Sequence, residues 1–373
     1  MEVTNSLMGT EEILVTKSSL PDYDDYCQTI KGIWDRVWLT NCGPLHEELE
    51  KEISKYLDVE NVSLYTNGHL ALENALELLD LKGEIITTPF TFVSTTSAIV
   101  RTGNTPVFCD INPDDYTIDV DKIEDLITEK TVAIVPVHVY GHVCNVEKIE
   151  EIAKKHNLKV IYDAAHAFGV KYEGKSIAKF GDITMFSFHA TKVFNTIEGG
   201  GLAFSDASLK VKAEALKNFG ITNYESIEYV GGNAKMSEFQ AAMGLCNLKN
   251  LKENILARKR IVELYTELLK DVDGIVLSTV QEKVDSNYAY FPIRVEKPFS
   301  LTRDQLFDLL ASHKIYARKY FYPITNDFEA YQGYPGDTPI ARDVSDKILT
   351  LPLYPDLGRE NVERICKIIK EKK

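Results

Sequence analysis

The sequence predicts an α/β fold: a large domain with a mostly parallel central sheet flanked by helices, followed by a small C-terminal α/β domain. Between about residues 61 and 204, short β-branched runs alternate with helix-length segments. The runs have few polar interruptions, which is typical of parallel strands covered on both faces. After about residue 202 the pattern changes to long stretches rich in Lys, Glu and Leu.

The strands and helices of the large domain follow the βαβ pattern. The predicted strands include EIITT (84–88), TPVFCD (105–110), TVAIVPV (131–137) and LKVIYD (158–163). Helical segments lie between them, for example around 71–79 and 146–156. Because parallel strands need crossover connections, and those are nearly always right-handed, we expect a doubly covered sheet.

The C-terminal third contains a long helical stretch at 236–269, a strand at 287–295 and helices near 302–312 and 359–370. We divide the chain into an N-terminal arm or helix (1–40), a large domain (41–255) and a small C-terminal domain (256–373). No flexible linker marks the boundary near residue 255.

The composition excludes several classes of protein. A hydrophobic content of 44% and a charged content of 26% describe a globular chain. A net charge of −14 makes nucleic acid a poor partner. No run reaches the ~18 apolar residues of a membrane span. The first residues lack the basic and apolar regions of a secretory leader, and the six cysteines form no CxxC pair. We therefore expect reduced thiols and a cytoplasmic location, without a membrane partner.

An aspartate ends one of the predicted strands. In LKVIYDAAHAFG, Asp163 follows the apolar run directly and His166 comes three residues later. Ligands of open α/β sheets bind at the carboxyl edge, where this carboxylate would lie. Taken alone, the pair is also explained by a turn-capping Asp and a packed imidazole.

A single lysine stands among apolar and small residues in GDITMFSFHATKVFNTIEGGG (181–201). Lys192 is explained either by a side chain that extends to solvent or by a partly desolvated amine that forms a Schiff base. Together, Lys192 and Asp163 match the needs of pyridoxal 5′-phosphate. The lysine would bind its aldehyde, and the aspartate would keep its ring nitrogen protonated.

A phosphate cradle is predicted where the run LYTNGHLALENAL turns from strand to helix. The backbone N–H groups of Gly68 and His69 would start this helix and suit an anion, although the turn is also an ordinary helix cap. Phe92, in TTPFTFVSTT, is a candidate to stack on the cofactor ring, with a place in the core as the alternative.

As a set, these motifs resemble the DegT/StrS-type nucleotide-sugar aminotransferases over nearly the whole chain. The resemblance implies pyridoxal phosphate and the aspartate-aminotransferase-like (type I) fold, with Lys192 as the Schiff-base lysine and Asp163 as the partner of the ring nitrogen. His166 would pack beside the cofactor, Ser187 would reach its phosphate, and Phe92 would stack on its ring. Asn233, in GGNAKMSEFQAAMGL, would contact the phosphate of a neighbouring subunit, which implies a homodimer with shared active sites.

One residue departs from the family pattern. The family usually has Ser or Thr after the glycine of the TNG turn, whereas this chain has His69. A hydroxyl donor to the phosphate is thereby lost, and whether His69 itself contacts the phosphate stays open.

The runs WLTNCGP, PVHVYGH and ARKYFYP resemble one branch of the family most. That resemblance implies transfer of the amino group of L-glutamate to C4 of dTDP-4-dehydro-6-deoxy-D-glucose, for surface polysaccharide or other glycan biosynthesis. A 3-keto sugar or a UDP- or GDP-sugar stays an alternative. The candidate substrate residues are Trp38, Thr40, Asn41, His189, Arg318, Lys319 and Tyr320. The last three are equally explained as a solvated basic surface.

Three other patterns are rejected. GVKYEGKS (169–176) matches the P-loop expression, but its strand ends six residues too early and alternation favours a hairpin. His138, His142 and Cys144 have metal-like spacing, but a glycine breaks their register, so we expect a structural histidine and no metal site. No GxGxxG motif follows a strand, which disfavours a dinucleotide-dependent dehydrogenase.

Two rival functions share the predicted fold. A sugar dehydratase of this family carries histidine in place of the lysine, so Lys192 counts against it. A non-catalytic regulator that binds the cofactor is disfavoured by the intact Lys192 and Asp163.

Overall fold

The computed structural model describes residues 11–372, and the first ten residues of the predicted arm lie outside this range. The strands are β1 (Asn61–Tyr65), β2 (Glu84–Thr87), β3 (Thr105–Phe108), β4 (Thr131–Val135), β5 (Lys159–Asp163), β6 (Lys171–Tyr172), β7 (Lys175–Ser176), β8 (Ile183–Ser187), β9 (Gly200–Phe204), β10 (Ile221–Asn223), β11 (Ser226–Ile227), β12 (Ile275–Leu277), β13 (Val284–Asp285), β14 (Phe291–Val295) and β15 (Ile348–Leu351). The helices are α1 (Tyr23–Arg36), α2 (Pro44–Leu57), α3 (Gly68–Leu78), α4 (Ser94–Arg101), α5 (Val146–His156), α6 (Leu209–Leu216), α7 (Glu238–Leu269), α8 (Arg303–Ser312), α9 (Pro339–Lys347) and α10 (Arg359–Lys370). Within the described range, no helix is both long enough and apolar enough to cross a bilayer.

A seven-stranded sheet, in the order β1-β9-β8-β5-β4-β2-β3, forms the centre of the molecule. Five of its strands (β8, β5, β4, β2 and β3) are mutually parallel, and β9 runs antiparallel to both of its neighbours. The strands that precede the TNG turn, Asp163 and the lysine segment therefore all end at one edge of the sheet.

Both faces of the sheet are buried, as the apolar strand runs predicted. In β5, Val160 and Tyr162 belong to the core cluster that includes α5, whereas Ile161 belongs to the cluster that includes α3. Because successive side chains of a strand point to opposite faces, a strand between two helix layers needs apolar residues at every position. The fold class predicted from the sequence is confirmed.

The 32-residue helix α7 begins at a capping box, in which Ser237 and Gln240 satisfy each other's backbone groups. Its first half packs in the core of the large domain, and its second half packs in the C-terminal core, with Leu264 and Tyr265. The predicted domain boundary at 255/256 falls inside this continuous helix, and the division of the chain into domains stays a prediction.

The C-terminal unit is built on the antiparallel sheet β12-β14-β15. The strand predicted at 287–295 is wrong over its first four residues, because β14 begins at Phe291. The Asn287 side chain donates instead to the backbone oxygens of His166 and Phe168, at 2.8 and 3.0 Å. Tyr288 has a φ of 52°, which a strand does not allow.

Two of the rejected motifs have structural explanations. The P-loop-like run forms the hairpin β6-β7, with Lys171 opposite Ser176, as the alternation predicted. His138 is fully buried, stacks on Tyr162 at 4.7 Å and accepts a hydrogen bond from the N–H of Cys144. This histidine therefore has a structural role.

Candidate active site

A cavity of about 300 Å³ opens at the carboxyl edge of the central sheet. Its walls come from the turns after β1, β5 and β8, from the segment around Phe92, and from Arg318 and Tyr320 of the C-terminal unit. Ligand sites of α/β sheets form at this edge because the strand ends leave a crevice between the loops.

Asp163 ends β5 with its side chain at the cavity, and the residue is only 4% exposed. Its carboxylate accepts from the hydroxyl of Thr95 at 2.7 Å and from the backbone N–H of Ala165 at 3.1 Å. Burial raises the pKa of this carboxyl, whereas Thr95, Ala165 and Lys192 favour its ionised form. A cation placed in the cavity would favour the ionised form further.

Lys192 lies in the short turn after β8 and lines the same cavity. Burial lowers the pKa of its amine, and the charge of Arg318 adds to this effect, while Tyr320 and Asp163 oppose it. A lowered pKa increases the fraction of neutral amine, which is the form that acts as a nucleophile or a base.

His166 and Phe92 both line the cavity, but they differ in their exposure to solvent. His166 is buried, and its Nδ1 accepts from the backbone N–H of Tyr140 at 3.0 Å. Burial and the nearby Lys192 lower its pKa well below the usual value, so the ring is neutral. Phe92 is 49% exposed and lines the cavity. Its alternative assignment to the core is therefore wrong.

The TNG turn forms one end of the cavity. Asn67 caps α3 by accepting from the N–H of Leu70, while Gly68 and His69 line the cavity. A Cβ on Gly68 would lie 2.9 Å from the Cβ of Ser187, so only glycine allows the helix start to pack this closely against the end of β8. Ser187 and Gly68 are thus neighbours at the same end.

His69 belongs to a hydrogen-bonded network that the sequence did not reveal. Its Nδ1 lies 2.8 Å from Oγ of Ser94, and its Nε2 lies 3.1 Å from a carboxylate oxygen of Glu73. Glu73 also accepts from Arg101. Ser94 lines the cavity as well, so a serine hydroxyl lies beside the histidine that replaces the usual hydroxyl residue.

The predicted substrate residues separate into two groups. His189, Arg318 and Tyr320 line the cavity, and the guanidinium of Arg318 lies 4.3 Å from the centre of the Tyr320 ring. Lys319 does not line it, because its amine pairs with Asp304 at 2.6 Å. Trp38, Thr40 and Asn41 lie in an exposed loop outside the cavity.

Asn233 is exposed and does not line the cavity of its own chain. Its side-chain oxygen accepts from the Lys235 amine at 2.7 Å. The role predicted for Asn233 at a cofactor phosphate stays a prediction.

The residues of the cavity fit pyridoxal phosphate. One end offers hydroxyl groups beside a helix start that only a glycine permits. The cavity also has a buried carboxylate suited to a ring N–H, and the amine of Lys192 lines the same space. Comparable cofactor sites combine these three elements.

Comparison with known proteins agrees with this geometry. The chain is 44% identical over 361 residues to the dTDP-4-amino-4,6-dideoxy-D-glucose transaminase of Shigella dysenteriae, covering 96% of this chain and 98% of the relative. It superposes with a TM-score of 0.93 on DesI, crystallised in the presence of its TDP-sugar product, at 31% identity and with 96% and 92% of the two chains covered.

The PLP-form of the sugar aminotransferase Spr1654 from Streptococcus pneumoniae, described as putative, matches with a TM-score of 0.89 at 27% identity, covering 97% of this chain and 98% of that one. These likenesses agree with the type I fold and with pyridoxal phosphate as the cofactor. The sequence profile of the DegT/DnrJ/EryC1/StrS aminotransferase family matches residues 22–370, and the chain belongs to this family.

Proposed function

We propose that the protein transfers the amino group of L-glutamate to C4 of dTDP-4-dehydro-6-deoxy-D-glucose, giving dTDP-4-amino-4,6-dideoxy-D-glucose. The observation that carries the reaction type is the shared cavity of Lys192 and the buried Asp163. The choice of sugar is supported by the 44% identity to a transaminase named for this product.

In this function, Lys192 binds the cofactor and then moves protons. When bound, pyridoxal phosphate supplies an electron-withdrawing ring and a carbon that carries the amino group between the two substrates. Because burial lowers the pKa of the Lys192 amine, its Nζ can accept a proton from the donor amino acid and return it at the cofactor carbon. The same atom reverses these transfers when the sugar is the substrate.

Asp163 stabilises positive charge at the ring nitrogen. Its two fixed donors, Thr95 and Ala165, hold the carboxylate in one orientation before any ligand binds. A preorganised anion costs no reorganisation when charge develops, which is the main source of electrostatic catalysis. We assign Gly68, His69 and Ser187 to the phosphate, Phe92 to one ring face and His166 to the ring surroundings.

Arg318 is the cation we assign to an anionic group of the substrates. Its side chain lines the cavity, and stacking on Tyr320 restricts its position. His189, whose Nδ1 lies 2.8 Å from the Thr191 hydroxyl, is the second polar group at this mouth. We expect both to contribute to substrate binding.

We also propose that the enzyme is a homodimer in which Asn233 reaches the partner's cofactor phosphate. The exposed position of Asn233 outside its own cavity supports this arrangement. Large exposed apolar side chains lie in the same region of the chain, among them Phe219, Tyr224 and Val230. Such side chains commonly mark subunit interfaces. The free state of all six cysteines supports a cytoplasmic location.

A panel of 3-keto and 4-keto hexoses linked to dTDP, UDP or GDP, each incubated with glutamate and the cofactor-loaded enzyme, tests the assignment. We expect the 4-keto dTDP-sugar to give the highest kcat/KM and an equimolar yield of 2-oxoglutarate. Preference for a 3-keto sugar, or for another nucleotide, would overturn the proposed substrate but leave the proposed reaction type in place. Absence of 2-oxoglutarate with every sugar would overturn the transaminase itself.

A further inference from the structure

The end of the cavity assigned to the phosphate holds a hydroxyl group that no sequence pattern predicted. Position 69 carries histidine, and the hydroxyl closest to its imidazole Nδ1 is that of Ser94, at 2.8 Å. Ser94 is the first residue of α4, a different helix from α3, which contains His69. Both residues line the cavity, together with Gly68 and Ser187.

The second ring nitrogen of His69, Nε2, donates a hydrogen bond to a carboxylate. Its Nε2 lies 3.1 Å from the carboxylate of Glu73, which is largely buried and also accepts from Arg101. A carboxylate only accepts hydrogen bonds, so Nε2 must carry a hydrogen. A neutral His69 then has a bare Nδ1, which can only accept a hydrogen from the Ser94 hydroxyl.

The protonation state of His69 therefore decides what Ser94 offers to the cavity. When His69 is neutral, the Ser94 hydrogen points to Nδ1, and only oxygen lone pairs face an incoming anion. When His69 is protonated, Nδ1–H donates to the Ser94 oxygen, and the Ser94 hydrogen is free to donate to a phosphate oxygen. A hydrogen on Nδ1 of His69 thus decides whether Ser94 can donate to an anion.

We propose that Ser94 is a phosphate-binding residue of this enzyme, replacing the hydroxyl missing at position 69, and that His69, held by Glu73, positions it through Nδ1. The inference rests on the cofactor site of the proposed function. It adds a binding residue, Ser94, and a positioning residue, His69.

Other charged or titratable groups share the cavity and must be held constant in any test. Besides Glu73 and Arg101, which contact the network directly, these groups are Asp163, His166, His189, Lys192, Glu198, Arg318 and Tyr320. All remain unchanged in variants at positions 69 and 94. Differences between such variants therefore report on the network alone.

The test measures equilibrium binding of pyridoxamine 5′-phosphate to the apo form of the full-length protein, by its fluorescence. This compound carries the phosphate but no aldehyde, so it forms no bond with Lys192. Ser94→Ala should weaken binding about tenfold or more, as expected for loss of a hydrogen bond to a charged group. Ser97→Ala, one turn along the same helix and outside the cavity lining, should leave the affinity unchanged.

A further double variant separates loss of the hydrogen-bond donor from general damage to the fold. Adding His69→Thr to Ser94→Ala should recover most of the lost affinity, because the new hydroxyl supplies the donor.

Unchanged binding by Ser94→Ala, or no recovery of affinity when His69→Thr is added to it, would overturn the inference while the cofactor site stands. A folded wild-type protein that binds no pyridoxamine 5′-phosphate at any pH would overturn both the cofactor site and this inference. Thermal melting curves of each variant confirm that the proteins compared are folded.

Discussion

Replacing Thr95 by valine tests the electrostatic role of Asp163. Valine keeps the shape of threonine but removes the hydroxyl that donates to the Asp163 carboxylate at 2.7 Å. The carboxylate would keep only the Ala165 N–H, at 3.1 Å. The Thr91 hydroxyl, 3.0 Å from Thr95, would lose its partner as well.

The expected change in the pKa of Asp163 follows from the loss of this hydrogen bond. A hydrogen bond to a charged group contributes about 1.5–3 kcal/mol, and one pKa unit corresponds to about 1.4 kcal/mol. Burial already raises the pKa of Asp163, and the Thr95 hydroxyl opposes this rise. Removal of the Thr95 hydroxyl should therefore raise the pKa of Asp163 further.

The assay is the single-turnover reaction of the loaded enzyme with glutamate, followed by cofactor absorbance between pH 5 and 9. Because Asp163 must be ionised, the acid limb of the rate profile should move to higher pH by about 1–2 units in Thr95→Val. The limb reports Asp163 and the ring nitrogen as a coupled pair.

Thr96→Val is the matched control, since the Thr96 hydroxyl bonds to Thr325 at 3.1 Å and not to Asp163. Its profile should coincide with that of the wild type, whatever its stability. If Thr95→Val also leaves the acid limb in place, the proposed link between this hydroxyl and the active carboxylate is wrong.

Three other changes have defined outcomes. Borohydride reduction of the cofactor-loaded protein, followed by peptide mapping, should find the adduct on Lys192, and Lys192→Ala should fold but carry none; an adduct elsewhere would refute the assignment. Gly68→Ala should weaken binding of pyridoxamine 5′-phosphate about tenfold, because the new Cβ would lie 2.9 Å from the Cβ of Ser187 and such overpacking costs about 1–3 kcal/mol. Gly333→Ala is the control, because the space around Gly333 is open. Equal affinities of Gly68→Ala and the wild type would contradict the prediction. Burial lowers the pKa of His46 from 6.5 to about 4. Between these two values the unfolded chain binds a proton at His46 and the folded chain does not. The free energy of unfolding should therefore fall as the pH drops from about 6.5 to 4. Urea unfolding of His46→Gln should show a shallower loss of free energy over this range, and an identical slope would show that His46 is not responsible.

The sequence predicted those parts of the site whose signal is local. Asp163 follows an apolar strand, and Lys192 follows another, so each could be placed at the sheet edge from its own neighbourhood. Thr95 and Ser94 were missed because their partners, Asp163 and His69, are distant in sequence. The contacts exist only because α4 packs against the strand ends, which no local pattern encodes.

The strand error and the separation of Lys319 from the cavity have similar causes. Residues 287–290 alternate like a strand, but tertiary hydrogen bonds from Asn287 to the turn after β5 hold them in another conformation. Lys319 looked equivalent to its neighbours Arg318 and Tyr320 in sequence. In the structure, only those two line the cavity, because Lys319 pairs with Asp304 at the start of α8.

The unbroken helix α7 limits how the enzyme can move. At 1.5 Å per residue, its 32 residues extend over about 48 Å, with its two halves anchored in different cores. A large hinge between those cores would have to bend or unwind this helix and break its backbone hydrogen bonds. Entry and exit of a bulky sugar nucleotide must therefore rely on displacement of surface loops, and the spacing between Lys192 and Arg318 should change little during turnover.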